Sequence, residues 1–398
     1  MIAHHTAQVL RRSAPVLASL GLSAMMCVSG QAQALTPVEV LGNAERANVP
    51  DGAKLDKRVA LGSPRLISFG PEDEMFIGSQ AGRLYRLQPP YDRIDAEIPL
   101  SGYPHSAVVH EGYLYVATTD RLYRTAYSPG QDVTEMDFEG VADLPGGSGH
   151  ASRSLSVGPD GRLYVALGLQ GNCSAQRVTT DIAFEDRRGG VMALDPTREA
   201  PAWTPYVSGL RNPIGMAWSP QGTLYLNNNG PDHWGYEAPP ELLVRAEAKS
   251  FHGMPWYQWN EGEWQRDECI DSAPPAGRDT LASPVATFAA RSAPIGLTFL
   301  PDDNPWQVDM VTAIHGSWAT QASGGRATRR PPKIVGIRLD DDGRQGKVID
   351  LVSGFQAENG ERWARPAGIA YRDGAIYFTA DDGDTGLYRL TLQASQTP

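Results

Sequence analysis

The chain has 398 residues, 41% hydrophobic and 20% charged, with 42 glycines and 31 prolines. That apolar fraction excludes global disorder. A net charge of −11 without a basic cluster excludes a surface that tracks a phosphate backbone or adheres to anionic lipid, so no nucleic-acid partner is expected.

Residues 1–34 read as an export signal. Arg11 and Arg12 supply the charged start, Ala14 to Val28 the apolar run, and Ala32-Gln33-Ala34 a small-residue cleavage site. The run is shorter than the ~20 residues a membrane span needs, and no later segment qualifies. A mature chain of residues 35–398 is therefore expected in a bacterial periplasm or secreted, with no transmembrane segment. Cys27 falls in the signal, which leaves Cys173 and Cys269. An even pair in an oxidising compartment points to one disulfide; the alternative is two unrelated buried thiols.

From residue 63 onward a short phrase recurs, in which a proline or polar pair leads into an apolar run. It reads Ser63-Pro64-Arg65-Leu66-Ile67, Tyr103-Pro104-His105-Ser106-Ala107, Ser152-Arg153-Ser154-Leu155, Asn212-Pro213-Ile214-Gly215-Met216, Ala293-Pro294-Ile295-Gly296-Leu297 and Arg365-Pro366-Ala367-Gly368-Ile369. Each phrase is followed by a β-rich run, such as Leu114-Tyr115-Val116 or Ile376-Tyr377-Phe378, and often by a third, such as Arg83 to Leu87 or Gly386 to Leu390. Pro159-Asp160-Gly161, Gln221-Gly222 and Asp373-Gly374 between them carry hairpin chemistry. Few stretches show helical spacing. Six hairpin units of roughly 60 residues each predict an all-β, six-bladed propeller as a single domain, with extra length after Pro213 and after Pro294.

In a propeller the inner strand of each blade lines a channel, so polar members of the phrase converge on one mouth. These are His105, His150 with Arg153, Arg211 with Asn212, and Arg365. A histidine just ahead of an inner strand is placed to act as a base reaching into the channel. The stretch Asn227 to His233 ends a strand in Asn-Gly-Pro, where free carbonyls suit a hard cation such as Ca²⁺ or simply form a turn. Asp340 to Gly343 and Asp381 to Asp384 lack the acidic partner of a calcium loop and read as turns.

GLRNPIGMAW, LNNNGPD and HASRSLSVGPDGRLYVALG resemble the glucose/sorbosone dehydrogenase family, as do HGSW (315–318), KIVGIRL (333–339) and RPAGIAYRDGAIYFTADD (365–382). The likeness runs in order from about Val49 to Leu390. It implies pyrroloquinoline quinone (PQQ) over the channel mouth, held by Ca²⁺. By position, His150 matches the family's general base, and Arg211 and Asn212 match residues touching the quinone. Gly230 and Pro231 match the pair whose main-chain oxygens bind Ca²⁺. Arg365 and Lys333 match basic cofactor contacts, and His105 and His315 sit at or near polar ones. Asn228-Asn229-Gly230-Pro231-Asp232 departs from the Asp-Asn-Gly-Arg-Asp of many sorbosone-type relatives. Trp256 to Arg278 has no good match and is expected to shape the substrate entrance. Both mature cysteines fall near positions where relatives carry cysteines.

The resemblance implies a sugar dehydrogenase. His150 takes the hydroxyl proton of an aldose or a sugar aldehyde such as sorbosone, and hydride passes to the quinone carbonyl that Ca²⁺ polarises. Arg211 stabilises the oxygen that becomes anionic, and electrons leave to a periplasmic acceptor. Two other readings share the fold: a non-catalytic carbohydrate- or partner-binding propeller, and a Ca²⁺-dependent sugar-lactone hydrolase with its metal deep in the channel.

Overall fold

The computed structural model describes Met1 and residues 34–392; apart from Met1 and Ala34, the export signal assigned to residues 1–34 lies outside the described residues. Among these, regular structure is β-strand with short 3-10 turns and no α-helix. Six four-stranded antiparallel sheets follow one another along the chain, and each opens on one of the six recurring phrases. The inner strands are Pro64–Phe69, Ser106–His110, Arg153–Val157, Asn212–Trp218, Pro294–Phe299 and Ala364–Arg372, defining blades 1 to 6. The fourth strand of blade 6 comes from the other end of the chain: Ala53–Val59 pairs with Gly386–Leu392, which closes the ring.

The phrase has a local structural job. In blades 1, 4, 5 and 6 the ladder between first and second strands shifts register there, between Pro64 and Ile67, Pro213 and Met216, Pro294 and Leu297, and Pro366 and Ile369. Proline cannot donate to the ladder, so each of these entries is a bulge that turns the strand start toward the channel. Blades 2 and 3, whose strands begin at Ser106 and Arg153 without an internal proline, pair in unbroken register. The phrase glycines let neighbouring inner strands crowd together. A Cβ on Gly215 would lie 2.2 Å from the carbonyl oxygen of Ile295, and one on Gly368 would lie 2.2 Å from that of Arg65.

Hydrophobic clusters fill the spaces between blades, for example Tyr115, Leu155, Val165 and Met192. The channel itself holds a cavity of about 350 Å³ whose walls include Ser68, Val108, Ser156, Met216, Thr298 and Ala370 from all six inner strands. Among the described residues no carboxylate, amide or histidine side chain lines it. The charged groups gather at the opposite end, where the inner strands start. The extra length after Pro213 includes a two-stranded hairpin, Tyr257–Asn260 with Glu263–Arg266, and that after Pro294 includes the segment 315–332.

Candidate active site at the channel mouth

His150 precedes the inner strand of blade 3. Its Nδ1 lies 2.6 Å from the Leu169 carbonyl oxygen. A carbonyl only accepts, so Nδ1 carries the proton and the neutral ring keeps an open lone pair on Nε2. Burial and then the nearby Arg211 guanidinium lower its pKa to about 4, so the ring is neutral at ordinary pH. Its backbone is stapled in place: the His150 carbonyl accepts from Arg153 (2.9 Å) and from Arg188 (2.9 Å).

Arg211 lies beside it, donating from Nε to Asn172 Oδ1 (2.8 Å) and from a terminal nitrogen to Asp232 Oδ2 (2.8 Å). The amide oxygen of Asn228 accepts from the backbone N–H of both Arg211 (2.9 Å) and Asn212 (3.1 Å), fixing the entry of blade 4. The side-chain oxygen of Asn212 is buried and has no partner among the described residues. It faces the same narrow space as His150, since a Cβ built on Gly168 would meet Asn212 Oδ1 at 2.4 Å and His150 Cβ at 2.5 Å.

In the neighbouring blade 2, His105 is fully buried with Nδ1 3.1 Å from the Arg153 carbonyl and Nε2 unpartnered among the described residues. Burial and the Arg65 guanidinium hold its pKa well below the usual range. His315 donates from Nε2 to Asp381 (2.7 Å) and accepts at Nδ1 from Arg365 (2.8 Å), so both ring nitrogens are engaged within the wall. Burial, which outweighs the Asp381 carboxylate, lowers its pKa to about 4. Arg365 also donates to the carbonyls of His315 and Gly316 and lies over the exposed Trp318 ring.

Three expectations need revision. Lys333 begins the third strand of blade 5, not an inner strand, and pairs with Asp350 of the fourth strand at 2.9 Å; it does not join the cluster. Asp381 is not a turn residue: its side chain is 7% exposed and pairs with Arg65 and His315. The Gly230–Pro231 pair does not present two vacant oxygens, because the Pro231 carbonyl accepts from the Arg291 guanidinium. Asp340 does behave as a turn residue, taking the backbone N–H groups of Arg344 and Gln345.

Sequence reasoning passed over Asn172, Arg188 and Arg291. Asn172 adjoins Cys173, which is disulfide-bonded to Cys269 with the Cα atoms 5.1 Å apart. The bridge ties the loop carrying Asn172, and through it Arg211, to the Trp-rich segment that follows Trp256. Its cysteine neighbour was the available signal for Asn172; Arg188 and Arg291 stand in no phrase.

The fold and mouth define a class: a six-bladed propeller whose channel opens on a neutral histidine among buried arginines. Residues 138–322 match the glucose/sorbosone dehydrogenase family. Quinoprotein glucose dehydrogenase B of Acinetobacter calcoaceticus is 24% identical over 232 residues, 44% of this chain and 48% of that protein, so the match spans about half the relative's length. Three solved structures share the fold. A carbohydrate-active enzyme of family AA12 from Trichoderma reesei has a TM-score of 0.72 at 17% identity, covering 91% of this chain and 99% of that one. The holo PQQ domain of pyranose dehydrogenase from Coprinopsis cinerea has a TM-score of 0.66 at 15% identity, covering 88% and 98%. PQQ-bound aldose sugar dehydrogenase from Streptomyces coelicolor has a TM-score of 0.60 at 15% identity, covering 87% and 100%. Among the described residues no helix is long and apolar enough to cross a membrane.

Proposed function

We propose that the protein is an exported, PQQ-dependent sugar dehydrogenase that oxidises an aldose or a sugar aldehyde and passes electrons to a periplasmic acceptor. The observation that carries this reading is His150, held neutral beside Arg211, with its Nε2 and the Asn212 oxygen unpartnered among the described residues, in a chain whose residues 138–322 match this family.

The residues of the mouth suit PQQ. A planar quinone bearing carboxylates needs cations and polar atoms not already committed, and Arg211, Arg365, Asn212 and the buried Nε2 of His105 offer both. Bound there, PQQ supplies an electrophilic carbonyl that accepts hydride. The protein's own work is then specific. His150 Nε2 accepts the substrate hydroxyl proton while the Nδ1–H bond to Leu169 fixes the ring. Arg211 retains N–H donors beyond those given to Asn172, Asn229 and Asp232, and these stabilise oxygen that gains negative charge. Asp232 and Asn172 orient that guanidinium. Ca²⁺ does not fit as expected, since the Pro231 oxygen already serves a cation, and no step is assigned to it.

The test is titration of purified mature protein with PQQ, following dye reduction over a panel of aldoses and sugar aldehydes. Saturable turnover, lost in His150→Ala with PQQ binding retained, is the expected result. Absence of PQQ uptake would overturn the assignment and leave a binding propeller. The channel lining, without carboxylate or amide, offers a lactone hydrolase no ligands for a deep metal.

A further inference from the structure

Arg291 stands in the loop ahead of the inner strand of blade 5, only 6% exposed, with a backbone φ of 68°. Its guanidinium reaches across to the segment 230–238, which leaves the second strand of blade 4. There it donates to the carbonyls of Pro231, Gly235 (2.9 and 2.7 Å) and Ala238 (2.6 Å), and to Asp232 Oδ1 (3.0 Å). Four acceptor groups, three of them carbonyls from one short segment, thus close around a single cation. The N–H of Gly230 is tied separately, to the buried Glu241 carboxylate. Asp232 is shared, one oxygen to Arg291 and the other to Arg211.

A crown of carbonyls and one carboxylate is the donor set of a hard cation, which takes six to eight oxygens. Here a permanently charged, five-donor fork occupies it. A divalent ion on the Pro231 oxygen would sit within a few ångströms of that guanidinium and be repelled by it. We infer that Arg291 takes the place of a metal ion in this mouth: its guanidinium holds the 230–238 segment and orients Asp232 and Arg211, so that cofactor binding does not need Ca²⁺. The inference about cofactor binding rests on the PQQ reading; the metal independence of the segment does not.

The experiment compares chelator-treated full mature protein in EDTA and in excess Ca²⁺, reading the thermal midpoint without cofactor and the PQQ dissociation constant by absorbance. For the wild type both should be the same in the two buffers. A functional Ca²⁺ site would instead raise the midpoint by about 3–5 °C on saturation. Arg291→Met should lower the midpoint, weaken PQQ by about tenfold or more in EDTA, and recover part of that affinity on adding Ca²⁺ to the vacated carbonyls. Arg291→Lys, which keeps the charge but not the fork, should fall between and serves if the methionine variant does not fold. Ca²⁺-dependent PQQ binding or stability in the wild type would overturn the inference. So would wild-type affinity in Arg291→Met, or a loss there that Ca²⁺ does not touch, since either makes Arg291 a mere clamp. If neither protein takes up PQQ in either buffer, the cofactor reading fails, and the midpoints alone decide metal independence.

Discussion

The pH dependence of turnover tests the placement of His150 directly. An ordinary histidine titrates near 6.5, whereas burial and Arg211 bring this one to about 4. In its proposed role as base His150 works only when neutral, so turnover should be full above its pKa and fall as pH drops through it. At pH 5.5 a group with a pKa of about 4 is about 97% neutral and one at 6.5 about 9%, a difference of roughly tenfold in kcat/KM. The assay is dye reduction by PQQ-loaded protein between about pH 4 and 8, with near-ultraviolet circular dichroism at each pH to show that the fold persists. The expected profile is flat from about pH 8 down to 5, with its acid limb below. Arg211→Met should move that limb upward by a fraction of the shift, because burial is the larger cause. An inflection near 6.5 in the wild type would refute the argument, as would the same acid limb in His150→Gln, a variant expected to lose ~10²–10⁴-fold in kcat.

Four further outcomes follow from individual contacts. His252 is buried with its pKa lowered to about 4 by burial alone; its folded value lies below its unfolded one, so its stabilisation is present above about pH 6.5 and is lost as pH falls toward 4. His252→Gln should therefore remove about 2 kcal/mol of the stability difference between pH 7 and 5 in urea melts, and an unchanged difference would contradict the shift. Gly168→Ala forces a Cβ against Asn212 and His150, so it should cost about 1–3 kcal/mol of stability, and turnover should fall further than the unfolded fraction explains. Cys269→Ser opens a bridge spanning 96 residues and should cost about 4–5 kcal/mol on the chain-entropy account. Through Asn172 it should also lower kcat, read beside its melting curve. Lys333→Met should leave the PQQ dissociation constant unchanged within error, whereas Arg365→Met should raise it.

The propeller was legible because its unit is written six times and because the residues that make the phrase recognisable make the structure. The prolines break the ladder at the strand entry, and the glycines admit the neighbouring strand. His105, Arg211, Asn212 and Arg365 were legible for the same reason: they occupy fixed places relative to the phrase, so the symmetry of the ring carries them to one mouth. Lys333 also begins a strand, but the third of its blade, and that offset of two strands puts it on Asp350 instead. Arg188, Arg291 and Asn172 have no periodic place at all. Each lies in a connection whose path depends on where its neighbours go, and Asp381 resembled turn chemistry because of the acidic, glycine-containing run around it, although the strand continues through Gly383.

What those unheralded residues share explains the chemistry of the mouth. The chain as a whole is acidic, and Arg211 and Arg65 at the channel entrance pair with Asp232 and Asp381, yet several other arginines there are satisfied largely by carbonyl oxygens. Arg153 donates to Pro145, His150 and Ser152, and Arg188 to Gly146, Ser148, His150 and Gly168. Arg291, with Asp232 beside it, and Arg365, with Asp381 and Asp382 nearby, follow the same pattern of several carbonyls. A carbonyl satisfies an N–H donor without cancelling its charge, so burying arginines this way leaves positive potential behind. That potential adds to burial in lowering the pKa of His105, His150 and His315, and under the proposed function it would draw the cofactor's carboxylates to a protein whose net charge would repel them. Replacing those carbonyl contacts by carboxylates would preserve the fold's hydrogen bonds but cancel the field, raise the pKa of His150, and weaken the site for its anion at the same time.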